Sequence, residues 1–423
     1  MIALLLISFL VLLFIGMPVA YAMACAAGLA IVADPSLPSL VIGQKMFTAM
    51  DSFSLMAIPF FMLAGSIMNE TGITKKIVDF ARSFVGHLTG GLGHTAIVTG
   101  VLMAGISGSA NADASAIASM LVPALKEEGY DDGYACAMIS GCGALGPVIP
   151  PSIMMVIYSG VISISISALF LAGVIPGLLI GGGYMAVNFL YARKNHIPRQ
   201  KFMGFRNILR SLGGAIWALI MPAIIIGGIL SGVVTATESG VLAVAYGVLY
   251  GFLSKNLDGK KLKKCLLESV QATTNPMMIM AFAALFGYAV TYYNFAKVIA
   301  DCMIGFTSSG IVALLVISVI LFIAGMFIDS NAALLMLVPI FSPLIALFGF
   351  HPIHFAMVCI LTLVMGGMSP PVGLLMYITA SCTNTPLEKV VRHIWPFLAA
   401  NYVIVLAVIL FPALVTWLPG LAG

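Results

Sequence analysis

Residues 113–123 read DASAIASMLVP and residues 329–339 read DSNAALLMLVP. Six of the eleven positions are identical, among them the Asp, the closing Pro and the Met-Leu-Val run between them. Each copy is followed by one of the only two Pro-Pro pairs in the chain, Pro150-Pro151 and Pro370-Pro371, whose second prolines lie 38 and 42 residues beyond the Asp. Common apolar letters account for a shared Met-Leu-Val by chance. They do not account for Asp, Pro and Pro-Pro recurring in one order, so the chain reads as an internal duplication.

The duplicated stretches lie in a very apolar setting. Of 423 residues, 61% are hydrophobic and 8% charged, against about 25% charged in a soluble domain. Long uncharged runs read as membrane helices. They do not alternate with period two, which excludes a β-barrel and leaves an all-α polytopic membrane protein. Apolar segments fall near 2–33, 51–69, 93–125, 133–160, 166–192, 211–233, 235–254, 273–293, 308–347, 353–382 and 394–418. The first, MIALLLISFLVLLFIG, has the apolar run of a signal peptide but no Lys/Arg before it, so it is read as a retained span kinked near Gly16 and Pro18. Seven cysteines and six histidines show no metal spacing, and no GxxxxGK[ST] loop for ATP occurs. Neither an ATPase nor a nucleic acid is expected as a partner.

Charge placement sets the topology. If 93–125 and 308–347 dip in and return as hairpins, nine crossings remain. Seventeen of the 19 Lys/Arg then fall on one side, including Lys75, Lys76, Arg82, Lys126, Lys201 and Lys255–Lys264, and only Lys45 and Lys297 on the other. By the positive-inside rule the first side is cytoplasmic, with the N-terminus inside and the C-terminus outside. Lys75–Arg82 and Lys255–Lys264 read as interfacial arms held by lipid head groups. The hairpin reading has local support: Gly93–Gly105 makes about 20 Å of helix, too short to span. The small, polar run Ile106–Asp113 that follows needs cover from protein or a hydrated cavity. The two copies become antiparallel, with residues 1–208 as the first inverted repeat, 209–234 as a linking helix and 235–423 as the second. Facing hairpins beside broken helices (133–160 and 353–382) are the layout of a secondary transporter.

Three acids lie in apolar surroundings, Asp113, Glu238 and Asp329. Glu238, in TATESG, reads as a helix cap. For the two Asp residues two readings stand: helix capping alone, or capping with a part in an ion site. In the second, Ser107, Ser109, Asn111 and Asp113 in one tip, and Asp329, Ser330 and Asn331 in the other, offer oxygens to Na⁺, a hard cation. The runs GCGALGPVIPP (141–151) and GGMSPP (366–371) cannot stay helical, because proline lacks an N–H and clashes with earlier carbonyls. Freed carbonyls there suit a cation, and nearby half-helix N-termini suit an anion. Co-transport of Na⁺ with a carboxylate follows as the expected activity.

The run GISGSANADASAI (105–117), with GPVIPPSI (146–153), PFFMLAGSIM (59–68), the TESG stretch from Thr237 through Gly247 and GMFIDSNAALLMLVPI (325–340), resembles the large membrane subunit of the tripartite ATP-independent periplasmic (TRAP) transporters. The likeness covers essentially the whole chain. It departs at Ala118-Ser119, where a Gly often follows Ala-Ile, a change that bears on packing more than chemistry. The resemblance implies an elevator-type, Na⁺-coupled importer in a prokaryotic inner membrane, working with a small four-helix membrane subunit and a soluble periplasmic binding protein. The chain opens directly on the large subunit, so the small one is expected to be separate. The implied cargo is an organic acid of the sialic acid or C4-dicarboxylate class. On that analogy the tips and breaks form the sites. Na⁺ falls to Ser107, Ser109, Asn111, Asp113, Gly143, Gly146, Pro147, Pro150, Gly325, Asp329, Ser330, Asn331, Gly366, Gly367 and Met368. Substrate falls to Ser107, Gly108, Ser109, Pro151, Ser152, Asp329, Ser330, Ser369 and Pro370. Three rivals stand beside this reading: a passive channel, for which duplicated hairpins would serve no gate; a stand-alone Na⁺/dicarboxylate symporter of the divalent-anion type; and an intramembrane aspartyl protease using Asp113 and Asp329. The last lacks the expected GxGD motif.

Overall fold

The computed structural model describes residues 1–423 apart from 201, 203 and 423, so Lys201 lies outside the described residues. The described chain is helical throughout its ordered elements. The first half runs α1 (Ile2–Phe14), α2 (Val19–Val32), α3 (Leu40–Met50), α4 (Ala57–Glu70), α5 (Ile73–Val85), α6 (Gly91–Ser107), α7 (Ala110–Glu127), α8 (Asp132–Ala144), α9 (Ile153–Ile162) and α10 (Ile166–Lys194). After α11 (Phe205–Leu230) come α12 (Ala236–Leu253), α13 (Gly259–Tyr292), α14 (Phe295–Phe306), α15 (Gly310–Phe327), α16 (Ser330–Phe341), α17 (Pro343–Phe348), α18 (Pro352–Gly367), α19 (Leu374–Thr383), α20 (Leu387–Leu410) and α21 (Ala413–Ala422). Among the described residues, α10, α11, α12, α13, α15 and α20 are long and apolar enough to cross a membrane.

One order of elements occurs twice. A short arm (α5, α14) leads into a helix pair split by a two-residue break (α6–α7, α15–α16). A helix broken at Pro-Pro (α8–α9, α18–α19) and a long helix (α10, α20) follow. Both Pro-Pro bonds are cis. The halves interlock at these pieces: α9 packs on α16, α19 on α7 and α8, and α20 on α8 and α10. A second group, α1–α5 with α11–α13, packs mainly within itself and meets the first where α4 and α5 contact α6 and where α13 contacts α16.

Several boundaries differ from the sequence reading, each for a local reason. The kink near Gly16 is a full break, with Gly16 at φ +92° and Pro18 ahead of α2. The arm at 255–264 and the span at 273–293 are one 34-residue helix. Asp258 caps it by accepting from the Lys261 N–H at 2.7 Å, and the interior Pro276 does not stop it. Residues 34–50, between the first two apolar segments, contain α3. The last span ends at Leu410, where Phe411 turns out of helical geometry before Pro412. Glu238 is the cap expected: its Oε2 accepts from the Thr235 N–H at 2.7 Å, and the Glu238 N–H donates to Thr235 Oγ1 at 3.3 Å, a capping box.

Candidate functional site

The first tip is built by a left-handed glycine. Gly108 ends α6 at φ +61°, the conformation that a residue without a Cβ adopts freely, and Ser109 turns the chain into α7 in extended geometry. Ser107 Oγ donates to Asp113 Oδ1 at 2.6 Å and accepts from the Ser109 N–H at 3.1 Å. Asp113 is thus not an N-cap. It is the fourth residue of α7, wholly buried, with its carboxyl group beside the positive end of the helix. Its Oδ2 is buried and has no hydrogen-bond partner among the described residues. The space over Gly146, where a Cβ would stand, is 3.1 Å from that oxygen and 3.0 Å from the Ser109 carbonyl carbon.

The second tip is built differently. Ile328 leaves α15 in extended geometry, and Asp329 is the N-cap of α16, its Oδ1 accepting from the N–H groups of Asn331 at 3.0 Å and Ala332 at 3.4 Å. Ser330 Oγ donates to the Leu363 carbonyl of α18 at 3.2 Å. Capping therefore accounts for one Oδ of Asp329 and for none of Asp113. Each carboxylate serves its own turn, unlike the shared pair of two-aspartate catalysis.

Each tip sits against the break of its own half. A Cβ on Gly143 would stand 2.6 Å from Ala114 Cβ and 2.8 Å from the Ala110 carbonyl oxygen, and one on Gly366 would stand 2.8 Å from Gly325 Cα. These distances are below van der Waals contact, so glycine is what lets the backbones meet. At the first break Ser152 caps α9, accepting from the Met155 N–H at 3.2 Å and donating to the Pro147 carbonyl at 2.6 Å.

A cavity lies between the two tips and the two breaks. Gly108, Ser109, Ala110 and Asn111 line it from the first tip, and Ile328, Asp329, Ser330 and Asn331 from the second. Pro147, Ile153 and Met154 come from the first broken helix, and Val364, Gly367, Leu374 and Leu375 from the second. Met62 of α4 and Pro276 of α13 close it from the other helix group. Ala110, Ile153, Ser330 and Leu374 are the first residues of α7, α9, α16 and α19. Four helix N-termini therefore border one cavity.

Of the residues proposed from sequence, Gly108, Ser109, Asn111, Pro147, Asp329, Ser330, Asn331 and Gly367 line this space. Gly143, Gly146, Gly325 and Gly366 lie behind it, where tip meets break. Ser107 and Asp113 sit under the first tip. Pro150, Pro151, Ser152, Ser369 and Pro370 belong to the breaks without lining the cavity. Met368 faces away, its Sδ accepting from Asn401 Nδ2 at 3.0 Å. Asn401 Oδ1 in turn accepts from Tyr184 Oη at 3.0 Å, in a buried cluster behind both breaks. Sequence reading missed Tyr184 and Asn401, although polar groups inside apolar spans were a usable signal.

Turns and broken helices around one cavity, in a helical chain with several membrane-length spans, define a membrane transporter permease. The chain belongs to the family described as "Tripartite ATP-independent periplasmic transporter, DctM component", whose sequence profile matches residues 6–414. It is 34% identical over 411 residues to the sialic acid TRAP transporter large permease protein SiaM of Vibrio cholerae, covering 97% of this chain and 96% of that one. It is also 34% identical over 408 residues to the isethionate TRAP transporter permease protein DctMQ of Oleidesulfovibrio alaskensis. That match takes in 96% of this chain but spans only 64% of the longer protein. Among solved structures, the Alcanivorax borkumensis YdaH transporter superposes with a TM-score of 0.67 at 13% identity, covering 89% of each chain. At that identity the likeness is one of fold.

Proposed function

We propose that this TRAP large permease imports an organic acid of the sialic acid or C4-dicarboxylate class by Na⁺ symport, with an elevator movement of the helix group that carries the tips. The observation that carries the reading is the ring of four helix N-termini around the cavity. Each carries a partial positive charge of about half an elementary charge, with Ser152 taking one N–H at α9 and Asp329 two at α16. Together they favour an anion. The cation has a separate place. The buried, unpaired Asp113 Oδ2 lies against the tip backbone and Gly146, and the ends of α6 and α8 leave carbonyls without helical partners. This pocket offers Na⁺ the Asp113 Oδ2 and backbone carbonyls beside the Ala110 N–H, with Ser109, Asn111 and the second-tip residues Asp329, Ser330 and Asn331 nearby. Na⁺ offsets the Asp113 charge and steadies the tip that presents the α7 N-terminus to the anion. On this reading the pairs α6–α7 and α15–α16 are re-entrant hairpins entering from opposite faces. The group α1–α5 with α11–α13 is then the static frame.

The chain works, on this proposal, in a prokaryotic inner membrane with a small four-helix subunit and a periplasmic binding protein. Reconstituted with both under an inward Na⁺ gradient, it is expected to accumulate the acid. Without either partner, uptake is expected to fall to background. Sustained uptake by this chain alone would turn the reading to the stand-alone symporter.

Orientation gives a second test. With the exposed Cys25, Cys302 and Cys382 replaced, a single cysteine at Gln200 is expected to react with a membrane-impermeant thiol reagent only after the membrane is opened. A cysteine at Asp34 is expected to react in intact cells. Labelling of position 200 from outside would overturn both the cytoplasmic placement of 195–210 and the antiparallel repeats.

A further inference from the structure

A second cavity adjoins the first and differs from it in chemistry. Met62 and Ser109 line both, so they form the partition. Of the ring, only the start of α7 reaches it, through Ser109 and Ala112. The walls carry side-chain oxygens, from Ser66 and Asn69 of α4, Ser107 of the first tip and Ser269 of α13. Three charged groups complete it. Lys264 Nζ lies 3.0 Å from Glu70 Oε2 and 3.8 Å from Glu268 Oε1, and Ser66 Oγ donates to Glu268 Oε2 at 3.0 Å. Two carboxylates against one ammonium leave the group at −1.

The geometry ties this triad to the tip. On α4, Gly65 lets the helix backbone seat against the tip, since a Cβ there would stand 3.3 Å from Ser107 Cα. The next residue, Ser66, holds Glu268, and Glu70, one turn on, holds Lys264. Ser107 is the same hydroxyl that donates to Asp113. A cation leaving the neighbourhood of Asp113 past Ser107 therefore enters an oxygen-walled space of net negative charge. An organic anion would meet repulsion there.

We propose that this cavity is an inner vestibule for Na⁺, separate from the cargo cavity, and that the Glu70–Lys264–Glu268 triad sets how strongly cytoplasmic Na⁺ is held in it. This rests on the Na⁺-symport reading above and on the cytoplasmic placement of Lys264. A cleft with charge of one sign concentrates the opposite ion, so the triad's net charge tunes the last step of Na⁺ release. Removing the positive member and removing a negative member must act in opposite directions. A merely structural role for the ion pairs predicts one direction for all.

The test uses the permease with its small subunit and binding protein in oriented proteoliposomes, measuring inhibition of uptake by Na⁺ loaded inside. Lys264→Gln leaves the triad at −2 and is expected to lower the half-inhibitory internal Na⁺ about threefold. Glu268→Gln leaves it neutral and is expected to raise that value by a similar factor. Lys263→Gln changes the surface charge equally without lining the cavity and is expected to match wild type, as is the dependence on external Na⁺ in all three. Shifts of one sign in Lys264→Gln and Glu268→Gln, or none, overturn the vestibule while the symport reading stands. Uptake by wild type that ignores Na⁺ on both sides overturns both.

Discussion

Asp113→Asn is expected to raise the Na⁺ concentration for half-maximal uptake about tenfold or more, the equivalent of about 1.4 kcal/mol, with folding largely retained. The amide keeps the shape and one acceptor for the Ser107 hydroxyl, so the tip holds together. It removes a full negative charge from a wholly buried position, where charge acts on a nearby cation far more strongly than in water. Asp329→Asn is expected to shift the curve less. One of its oxygens is occupied by two backbone N–H groups, and Asn caps a helix about as well as Asp. Asp329→Ala separates the roles further: a cap alone costs roughly 1 kcal/mol of stability and leaves the Na⁺ curve of the surviving protein where it was. Uptake against Na⁺, normalised to folded protein, is the measurement. An unmoved curve in Asp113→Asn would take this carboxylate out of the ion site.

Gly143→Ala is expected to cost about tenfold or more in uptake while the protein still inserts. A methyl group there meets the Ala110 carbonyl at 2.8 Å and Ala114 Cβ at 2.6 Å. Both belong to the start of α7, and neither a carbonyl nor an alanine Cβ can swing aside like a long side chain. The tip must lift from the break by a few tenths of an ångström or more, at an overpacking cost of about 1–3 kcal/mol. That movement carries the Asp113 pocket and the α7 N-terminus with it. Gly182→Ala in α10, which has open space over its Cα, is expected to transport as wild type and to gain slightly from the helix preference of Ala. Equal uptake by the two variants would mean that contact between tip and break is not needed in transport.

What the sequence could announce was whatever is written locally. Pro150-Pro151 and Pro370-Pro371 end helices wherever they stand, and the Asp-to-Pro repeat marks a duplication without any knowledge of packing. The role of the two aspartates was not legible. Alignment sets Asp113 and Asp329 at one position, but α7 begins at Ala110 and α16 at Ser330, so the first is the fourth residue of its helix and the second a cap. The difference lies in Gly108, whose positive φ turns the chain early, whereas Ile328 continues extended to the Asp. Long-range partners left no trace either. Nothing in Met62 or Pro276 marks them as walls of the cavity, because that depends on where α4 and α13 pack. Tyr184 and Asn401 are polar groups in apolar runs that the sequence reading passed over, and their pairing joins helices of different halves.

The cavity between the tips is lined without a single Lys or Arg among the described residues, and Asp329 is its one charged side chain; on the proposed reading the anion is held by the main chain at the helix starts. Point mutation cannot delete a peptide N–H except through proline. On the proposed reading, recognition of the negative charge is therefore nearly immune to amino-acid replacement, while Ser109, Asn111, Ser330, Asn331 and the apolar wall are free to vary. A lineage built this way can exchange one acid for another by repainting a few side chains, with no intermediate that has forgotten how to hold an anion.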